Sequence, residues 1–348
     1  MNDDNSSGTP RRRSWLLAGA LLLMLAVVLA VAVLPGQDDP DDAEQAPPAA
    51  PTTTPPPYTP APYSRVDDVT LTVPEEGRFA QGTFWAEAGT DYVVTMDLES
   101  TKPEGSGGRS MYLGVTLSCS PQAGGPGISV GGTQNMLTGE VTAYSNQGII
   151  SVPEDGGIDC SIKVSAPYDD VASNGTTFEI DGTWRADPVD GEAIAASEDG
   201  LPRTVEVGAE EVVMTADLLL DTAAEDQLRA LTTLHLTACT IVNGSREDGR
   251  AWCSEGSLDE DGSVVTMELQ AQMVDEKGEV CDVLGEDTTD ADHIDLYRHH
   301  RVLSLELAEE LPEAPCGHTV RLSASVHNEG PAPVVVHRSN SSLVGVGG

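Results

Sequence analysis

Residues 92–98 read YVVTMDL, and residues 212–218 read VVMTADL, 120 positions further along the chain. In both stretches an apolar residue occupies every second position; in the first these residues are Tyr92, Val94, Met96 and Leu98. A period of two predicts a β-strand with one face toward a hydrophobic core. Two matching strands at this separation indicate a tandem duplication.

A second match supports the duplication. IKVSA at 162–166 matches VRLSA at 320–324, and each follows a cysteine, Cys160 or Cys316. Many short alternating segments are separated by turn pairs such as Asp181-Gly182 and Asp261-Gly262. This pattern predicts an all-β fold with two tandem antiparallel β-sandwiches, Ig-like or jelly-roll-like, at residues 65–187 and 200–343.

The N-terminal segment has the features of a membrane anchor. Three arginines at 11–13 precede Ser14–Leu34, which contains no charged residue. As a helix this run would be roughly 30 Å long, which is enough to cross a bilayer. The arginines predict a cytoplasmic tail at 1–13, a transmembrane signal anchor at 14–34 and an extracytoplasmic remainder. A cleaved signal peptide is the alternative, because Ala30-Val31-Ala32 resembles a cleavage site.

Residues 35–64 are rich in proline and poor in aliphatic side chains. Proline fixes φ and removes backbone donors, so this segment is expected to be an extended, disordered linker without a core of its own. The chain would therefore display its two sandwiches on a stalk.

All six cysteines follow the predicted anchor. An even number in an exported chain predicts three disulfides. The duplication selects Cys119–Cys160 and Cys239–Cys316, and it leaves Cys253–Cys281. However, the apolar residues before Cys239 are one position out of phase with those before Cys119. A β-bulge or a wrong alignment would each explain this difference.

Charge and motifs favour a binding or structural role over catalysis. Asp and Glu number 57 against 18 Lys and Arg, giving a net charge of −39, which excludes nucleic-acid binding. GISVG at 127–131 matches G-x-S-x-G by letter, but its glycine-rich flanks predict no following helix. We therefore predict a non-enzymatic bacterial cell-envelope protein without a cofactor. Its expected partners are the membrane, through one helix, and an extracellular protein or cell-wall ligand.

One cluster keeps a metal-dependent alternative open. DADHIDLYRHHR at 290–301 contains three of the seven histidines. The candidate ligands are His293, Asp295, His299 and His300. Arg298 and Arg301 flank the histidine pair and would repel a divalent cation, so the favoured interpretation is a polar entrance to a strand with ion-paired arginines. The alternative is a metal-dependent binding or hydrolytic module.

Carbohydrate binding is the second alternative, since exported β-sandwiches that bind sugars need an exposed aromatic ring. Aromatic residues make up 4% of the chain. Five are expected in strand cores: Phe79, Phe84, Trp85, Phe178 and Trp184. The candidates left for a platform are Tyr144, Trp252 and Tyr297.

Overall fold

The computed structural model describes residues 64–72, 77–102, 110–165, 177–196, 199–221, 225–238, 262–295 and 297–348. The predicted cytoplasmic tail, the signal anchor and all but the last residue of the linker lie outside these ranges. Within the described residues, no helix is long and apolar enough to cross a membrane. Most of these residues form β-strands, and the described residues belong to one compact unit.

The first half of the described chain contains strands β1 to β8. They are β1 Ser64–Thr72, β2 Gly77–Ala86, β3 Asp91–Thr101, β4 Ser110–Pro121, β5 Ile128–Leu137, β6 Val141–Ser151, β7 Gly156–Ser165 and β8 Thr177–Pro188. The second half contains β9 to β18. They are β9 Ala193–Ala195, β10 Arg203–Val205, β11 Glu210–Leu219, β12 Gln227–Ala238, β13 Ser263–Val274, β14 Val280–Thr288, β15 Asp292–Ile294, β16 His300–Glu310, β17 Thr319–Pro331 and β18 Val334–Gly347.

The first hydrophobic core lies between two antiparallel four-stranded sheets, with strand orders β1-β8-β3-β6 and β2-β7-β4-β5. β3 contributes the alternating residues Tyr92, Val94, Met96 and Leu98, each at most 1% exposed. From the other sheet, β4 contributes Leu113, Val115, Leu117 and Cys119. Fully burying one such large side chain contributes about 1.5–3 kcal/mol. The predicted period of two is therefore confirmed for these strands.

The second core lies between sheets ordered β10-β18-β12-β16 and β11-β17-β13-β14. β9 adds to the first of these sheets beside β18, and β15 adds to the second beside β13. The core residues include Leu234 and Leu236 of β12 with Met267 and Leu269 of β13. Each of the two cores is therefore enclosed between two sheets.

The two halves have the same strand order, but the sequence match at 92–98 and 212–218 joins strands that are not equivalent. In the sheet orders, β11 takes the place of β2, and the equivalent of β3 is β12. The match between IKVSA and VRLSA does join equivalent strands, β7 and β17. The predicted alignment of residues 92–98 with residues 212–218 is therefore shifted by one strand. This error also explains the phase difference between the residues before Cys119 and those before Cys239.

The structure contains a disulfide in each half. Cys119 and Cys160 lie opposite each other on β4 and β7 and are bonded, as predicted. Cys281 is bonded to Cys316, so the predicted pairs Cys239–Cys316 and Cys253–Cys281 are wrong. Cys239 and Cys253 lie outside the described residues.

The observed pairing follows from the sheet register. Val274, the last residue of β13, lies opposite both Val280 of β14 and Thr319 of β17. The start of β14 and the residues before β17 therefore meet at the same end of the sheet. Cys281 and Cys316 lie in these two segments, with Cα atoms 6.2 Å apart.

A non-reducing peptide map is expected to recover a fragment that links Cys281 to Cys316. Replacing both residues with serine should lower the free energy of unfolding by about 4 kcal/mol, because the bond closes a loop with a sequence separation of 35. Denaturant unfolding of the full chain would measure the loss. A fragment joining Cys239 to Cys316 would contradict the structure and restore the original prediction.

The pair Asp181-Gly182 is not a turn, contrary to the sequence prediction. It lies inside β8, where Gly182 pairs with Leu98 of β3. Gly182 has a φ of 140°, and a Cβ atom there would clash with the carbonyl oxygen of Asp97. The glycine is therefore required by a close approach of two strands.

Candidate functional site

The two halves meet along a polar surface, termed the junction. β5 and β6 of the first half lie against β12, β16 and β18 of the second half. β12 is buried on both of its faces along most of its length. One face contributes leucines to the second core, and the other carries Thr233, His235 and Thr237, which are at most 4% exposed.

Two amide side chains of β5 bind the beginning of β16. Gln134 Oε1 accepts hydrogen bonds from the Val302 backbone N–H at 3.1 Å and from Arg301 Nη1 at 3.3 Å. Asn135 Oδ1 accepts a hydrogen bond from the His300 backbone N–H at 2.6 Å. These contacts satisfy backbone donors of one half with acceptors of the other.

β6 makes a second set of contacts across the junction. Ser342 Oγ donates to Asn146 Oδ1 at 2.8 Å and accepts from Gln147 Nε2 at 3.1 Å. Thr233 Oγ1 donates to Gln147 Oε1 at 3.2 Å. Asn146 and Gln147 are at most 3% exposed. Such a buried network is stable only when its partners are aligned, so it fixes the orientation of one half against the other.

Three histidine rings gather at the same junction. His235 Nδ1 lies 3.0 Å from the carbonyl oxygen of Ser339, which can only accept, so Nδ1 carries the proton. His235 Nε2 lies 3.0 Å from His300 Nδ1, and it therefore accepts a hydrogen bond from the Nδ1–H group of His300. The ring of His337 lies 4.7 Å from that of His235, and its Nε2 is 2.8 Å from Thr237 Oγ1.

Burial sets the protonation state of two histidines. It lowers the pKa of His235 to about 4. The hydrogen bond to Ser339 raises this pKa, and the electrostatic interaction with His299 lowers it further. Burial also lowers the pKa of His299 to about 4. His299 Nδ1 is buried without a hydrogen-bond partner, so a proton there would be poorly solvated. Both rings are therefore neutral at physiological pH.

The four candidate metal ligands have different contacts in the structure. His293 lies on β15 with half of its side chain exposed, and its Nδ1 is 3.8 Å from Asp295 Oδ2. Asp295 Oδ1 accepts hydrogen bonds from the backbone N–H groups of residues 297 and 298. His299 and His300 lie in the junction, with ring centroids 4.7 Å apart. In the described part of the chain, no group of three or more His, Cys, Asp or Glu side chains is arranged to hold a metal ion.

The arginines of 290–301 are ion-paired, as the sequence suggested. Arg301 Nε donates to Asp292 Oδ2 at 3.0 Å within the stretch. Arg298 bonds Glu140, which belongs to the first half of the chain, so this ion pair also crosses the junction. The strand beyond directs Leu303 and Leu307 into the second core. The stretch is therefore a polar strand entrance, and it connects the two halves.

A separate exposed feature lies on the outer surface of the first half. Trp85 of β2 is 40% exposed, whereas its neighbours Phe84 and Ala86 are buried. Across the strand pair it lies opposite Gly157 of β7. Thr83 Oγ1 donates to Asp159 Oδ1 at 2.6 Å, and Gln122 Nε2 donates to the same oxygen at 2.9 Å. Trp85, Thr83, Gln122 and Asp159 are termed the Trp85 face.

Sequence reasoning misplaced two aromatic residues. Trp85 was expected in the core together with Phe84, but consecutive strand residues point to opposite faces, so the two side chains could not face the same core. Tyr144 was expected to be a surface platform, yet it is fully buried in the first core. Trp184 is buried as predicted. Tyr297 is 38% exposed, and Trp252 lies outside the described residues.

Comparisons with known proteins find no family. No protein-family profile matches the chain, and no curated protein does. Among solved structures, the tandem CBM22-1 and CBM22-2 domains of Paenibacillus barcinonensis Xyn10C are 10% identical, with a TM-score of 0.22, covering 80% of this chain and 93% of theirs. A structure of the infectious bursal disease virus Gt strain is 9% identical, with a TM-score of 0.29, covering 82% and 73%. Scores at this level establish no relationship.

Proposed function

We propose that the protein is a non-enzymatic binding protein of the bacterial cell envelope. A helix at 14–34 anchors it in the membrane with residues 1–13 in the cytoplasm, and the linker at 35–64 carries two jelly-roll sandwiches outside. These domains, at 65–187 and 200–343, form one rigid unit that binds an extracellular protein or a cell-wall ligand.

The jelly-roll assignment is supported by the strand order that both halves share. Each half has eight main strands in two four-stranded antiparallel sheets, with the last strand between the first and the third. This arrangement is that of a jelly roll, in which two sheets pack face to face. The same order in both halves supports a tandem duplication.

The observation that carries the proposal is a disulfide in each half, Cys119–Cys160 and Cys281–Cys316. Disulfides of this kind persist in oxidising compartments and are rare in the cytosol. Combined with Ser14–Leu34 and its three preceding arginines, they support export of the folded part.

The junction supports binding in preference to catalysis. Its amide, hydroxyl and histidine side chains are used in hydrogen bonds between and within the halves, as for Asn135, Gln147 and His235. These contacts hold two sandwiches in one orientation. A rigid pair of sandwiches presents its outer sheet faces at fixed positions, which suits recognition of an extended ligand.

Protease treatment of intact bacteria that produce the full chain is expected to digest residues 65–348 and leave the membrane-associated N-terminus. The cysteines of the untreated protein should resist alkylation until a reductant is added. The matched control is Leu22→Arg with Leu23→Arg, which places two charges in the apolar run and should leave the chain undigested in the cytoplasm. A wild-type chain that is digested only after cell lysis, with freely alkylated cysteines, would refute the envelope location.

A further inference from the structure

We propose that the Trp85 face binds a neutral saccharide. This inference rests on the proposed envelope-binding function and names the chemical class of its ligand. It is carried by an exposed indole beside a carboxylate that is held in place by two hydrogen bonds.

The indole of Trp85 provides an apolar platform on an otherwise polar sheet surface. Trp85 is 40% exposed in a strand whose core positions are already filled by Phe84 and Ala86. Burying such a ring against a ligand removes apolar area from water, and its face can receive the C–H groups of a sugar ring. The residue opposite, Gly157, has no side chain that could cover the ring.

Gly157 also allows the polar part of the face to form. A Cβ atom at Gly157 would lie 2.5 Å from Gln122 Oε1, so the amide occupies the space that a side chain would fill. Gln122 is fixed at its backbone as well, since its N–H donates to the Gly157 carbonyl at 2.9 Å. The amide therefore lies beside Trp85 in a defined position.

Asp159 supplies a hydrogen-bond acceptor for a sugar hydroxyl. Its Oδ1 receives hydrogen bonds from Thr83 and Gln122, which together lower the pKa of the carboxyl group. Its Oδ2 receives neither of these bonds, and the residue is exposed. Because Thr83 pairs with Asp159 and Trp85 pairs with Gly157, Asp159 and Trp85 are diagonal neighbours on the same face of the sheet, at positions about 7–8 Å apart. A hydroxyl of a stacked sugar, or of the next sugar in a chain, can therefore donate to Oδ2.

The charge and shape of the Trp85 face determine which class of ligand it can bind. The carboxylate is ionised at neutral pH, and the chain has a net charge of −39, so acidic polysaccharides are repelled. The neighbouring outward positions of β4 and β7 carry small hydroxyl side chains, Ser118, Ser120 and Ser161. These leave the sheet surface flat and polar beyond the indole. A neutral glycan chain fits such a surface.

The test is isothermal titration of the full chain, purified in a detergent without a sugar headgroup. The probes are laminarihexaose, cellohexaose and maltohexaose, with hexagalacturonate as the acidic comparison. We expect at least one neutral hexasaccharide to bind, and hexagalacturonate to bind at least about tenfold more weakly. Trp85→Ala should weaken binding at least about tenfold, and Trp85→Phe should keep it within about threefold. Asp159→Asn should weaken it about three- to tenfold through loss of the Oδ2 acceptor.

The matched control is Tyr297→Ala, which removes an aromatic ring of similar exposure from the second half and should leave affinity unchanged. No binding of any neutral probe at 10 mM (roughly a 3 kcal/mol interaction), or equal affinity of wild type and Trp85→Ala, would overturn the proposal. The titration uses purified protein, and the protease test uses intact cells. A negative titration would therefore refute saccharide binding without affecting the envelope location. A negative protease test would refute the envelope location without affecting the titration result.

Discussion

Lowering the pH from 7 to 5 is expected to reduce the free energy of unfolding by about 2 kcal/mol for each of His235 and His299. Both side chains have a folded-state pKa of about 4, against 6.5 as the ordinary value, chiefly because they are buried. Between pH 4 and 6.5 the unfolded chain therefore binds more protons than the folded one. Stability falls as the pH is lowered through this window, and this contribution becomes constant below pH 4.

The loss should be located at the junction. A proton on His235 Nε2 would point at the Nδ1–H group of His300, so the hydrogen bond between the two rings would be lost. A charge on His299 would lie close to His235. Neither ring gains an acidic partner in the contacts described above. Acid should therefore loosen β12 and β16 before the distant parts of either core.

Urea unfolding of the full chain at several pH values, together with amide hydrogen exchange of β12 and β16, measures the effect. His235→Gln with His299→Gln should reduce the pH dependence between 7 and 5 by about 4 kcal/mol relative to wild type. His293→Gln is the matched control, because it removes an exposed histidine outside the junction and should preserve the wild-type slope. An unchanged slope in the double variant would show that these histidines do not control acid stability.

The sequence predicts the strands well because a strand's pattern is local. Alternation places Leu113, Leu117 and Cys119 on one face of β4, and all three are buried in the first core. What alternation does not specify is the position of a strand within its sheet. β3 and β11 alternate equally clearly, yet they occupy different positions in the two halves. The disulfide prediction inherited this ambiguity, which explains why only Cys119–Cys160 was correct.

The junction could not be predicted from local patterns, because its partners are distant in sequence. His235 and His300 are separated by 65 residues, and Gln134 and Val302 by 168. Nothing near His235 distinguishes a junction residue from a buried residue of an ordinary strand. Trp85 was predictable in part, since it follows Phe84 directly and both could not face the same core. The sequence shows that His299 and His300 are adjacent, but their partners are determined by the packing of the two halves.

Asn328→Asp is expected to destabilise the second half by about 3–5 kcal/mol, which makes it the most damaging conservative substitution that the structure suggests. Asn328 is completely buried. Its Nδ2 donates to the carbonyl oxygens of Val205 and Ala332, each at 3.0 Å. Its Oδ1 accepts from the Gly330 backbone N–H at 2.9 Å and from Ser263 Oγ.

One amide therefore connects four segments: the end of β10, the start of β13, β17 and the residues between β17 and β18. In aspartate the two donors are lost, and a carboxylate oxygen faces two carbonyl oxygens in a site without solvent. The group must then remain as a buried charge or take up a proton, and a protonated carboxyl can donate only one hydrogen bond. Either state leaves at least one of the carbonyls without its partner.

The matched control is Asn135→Asp, which makes the same chemical change. The side chain of Asn135 uses its amide oxygen, as an acceptor, in its hydrogen bond across the junction. Asn135 Oδ1 accepts from the His300 N–H, and aspartate keeps that acceptor. We expect its effect on the free energy of unfolding to stay within about 0.5 kcal/mol, as for substitutions that break no buried contact. Urea unfolding of both variants at pH 7 separates the two cases, since the chemical change is identical and the sites differ in the direction of their hydrogen bonds and in burial, Asn135 being only partly buried. Equal stability of the two variants would mean that the Asn328 amide does not hold these four segments together.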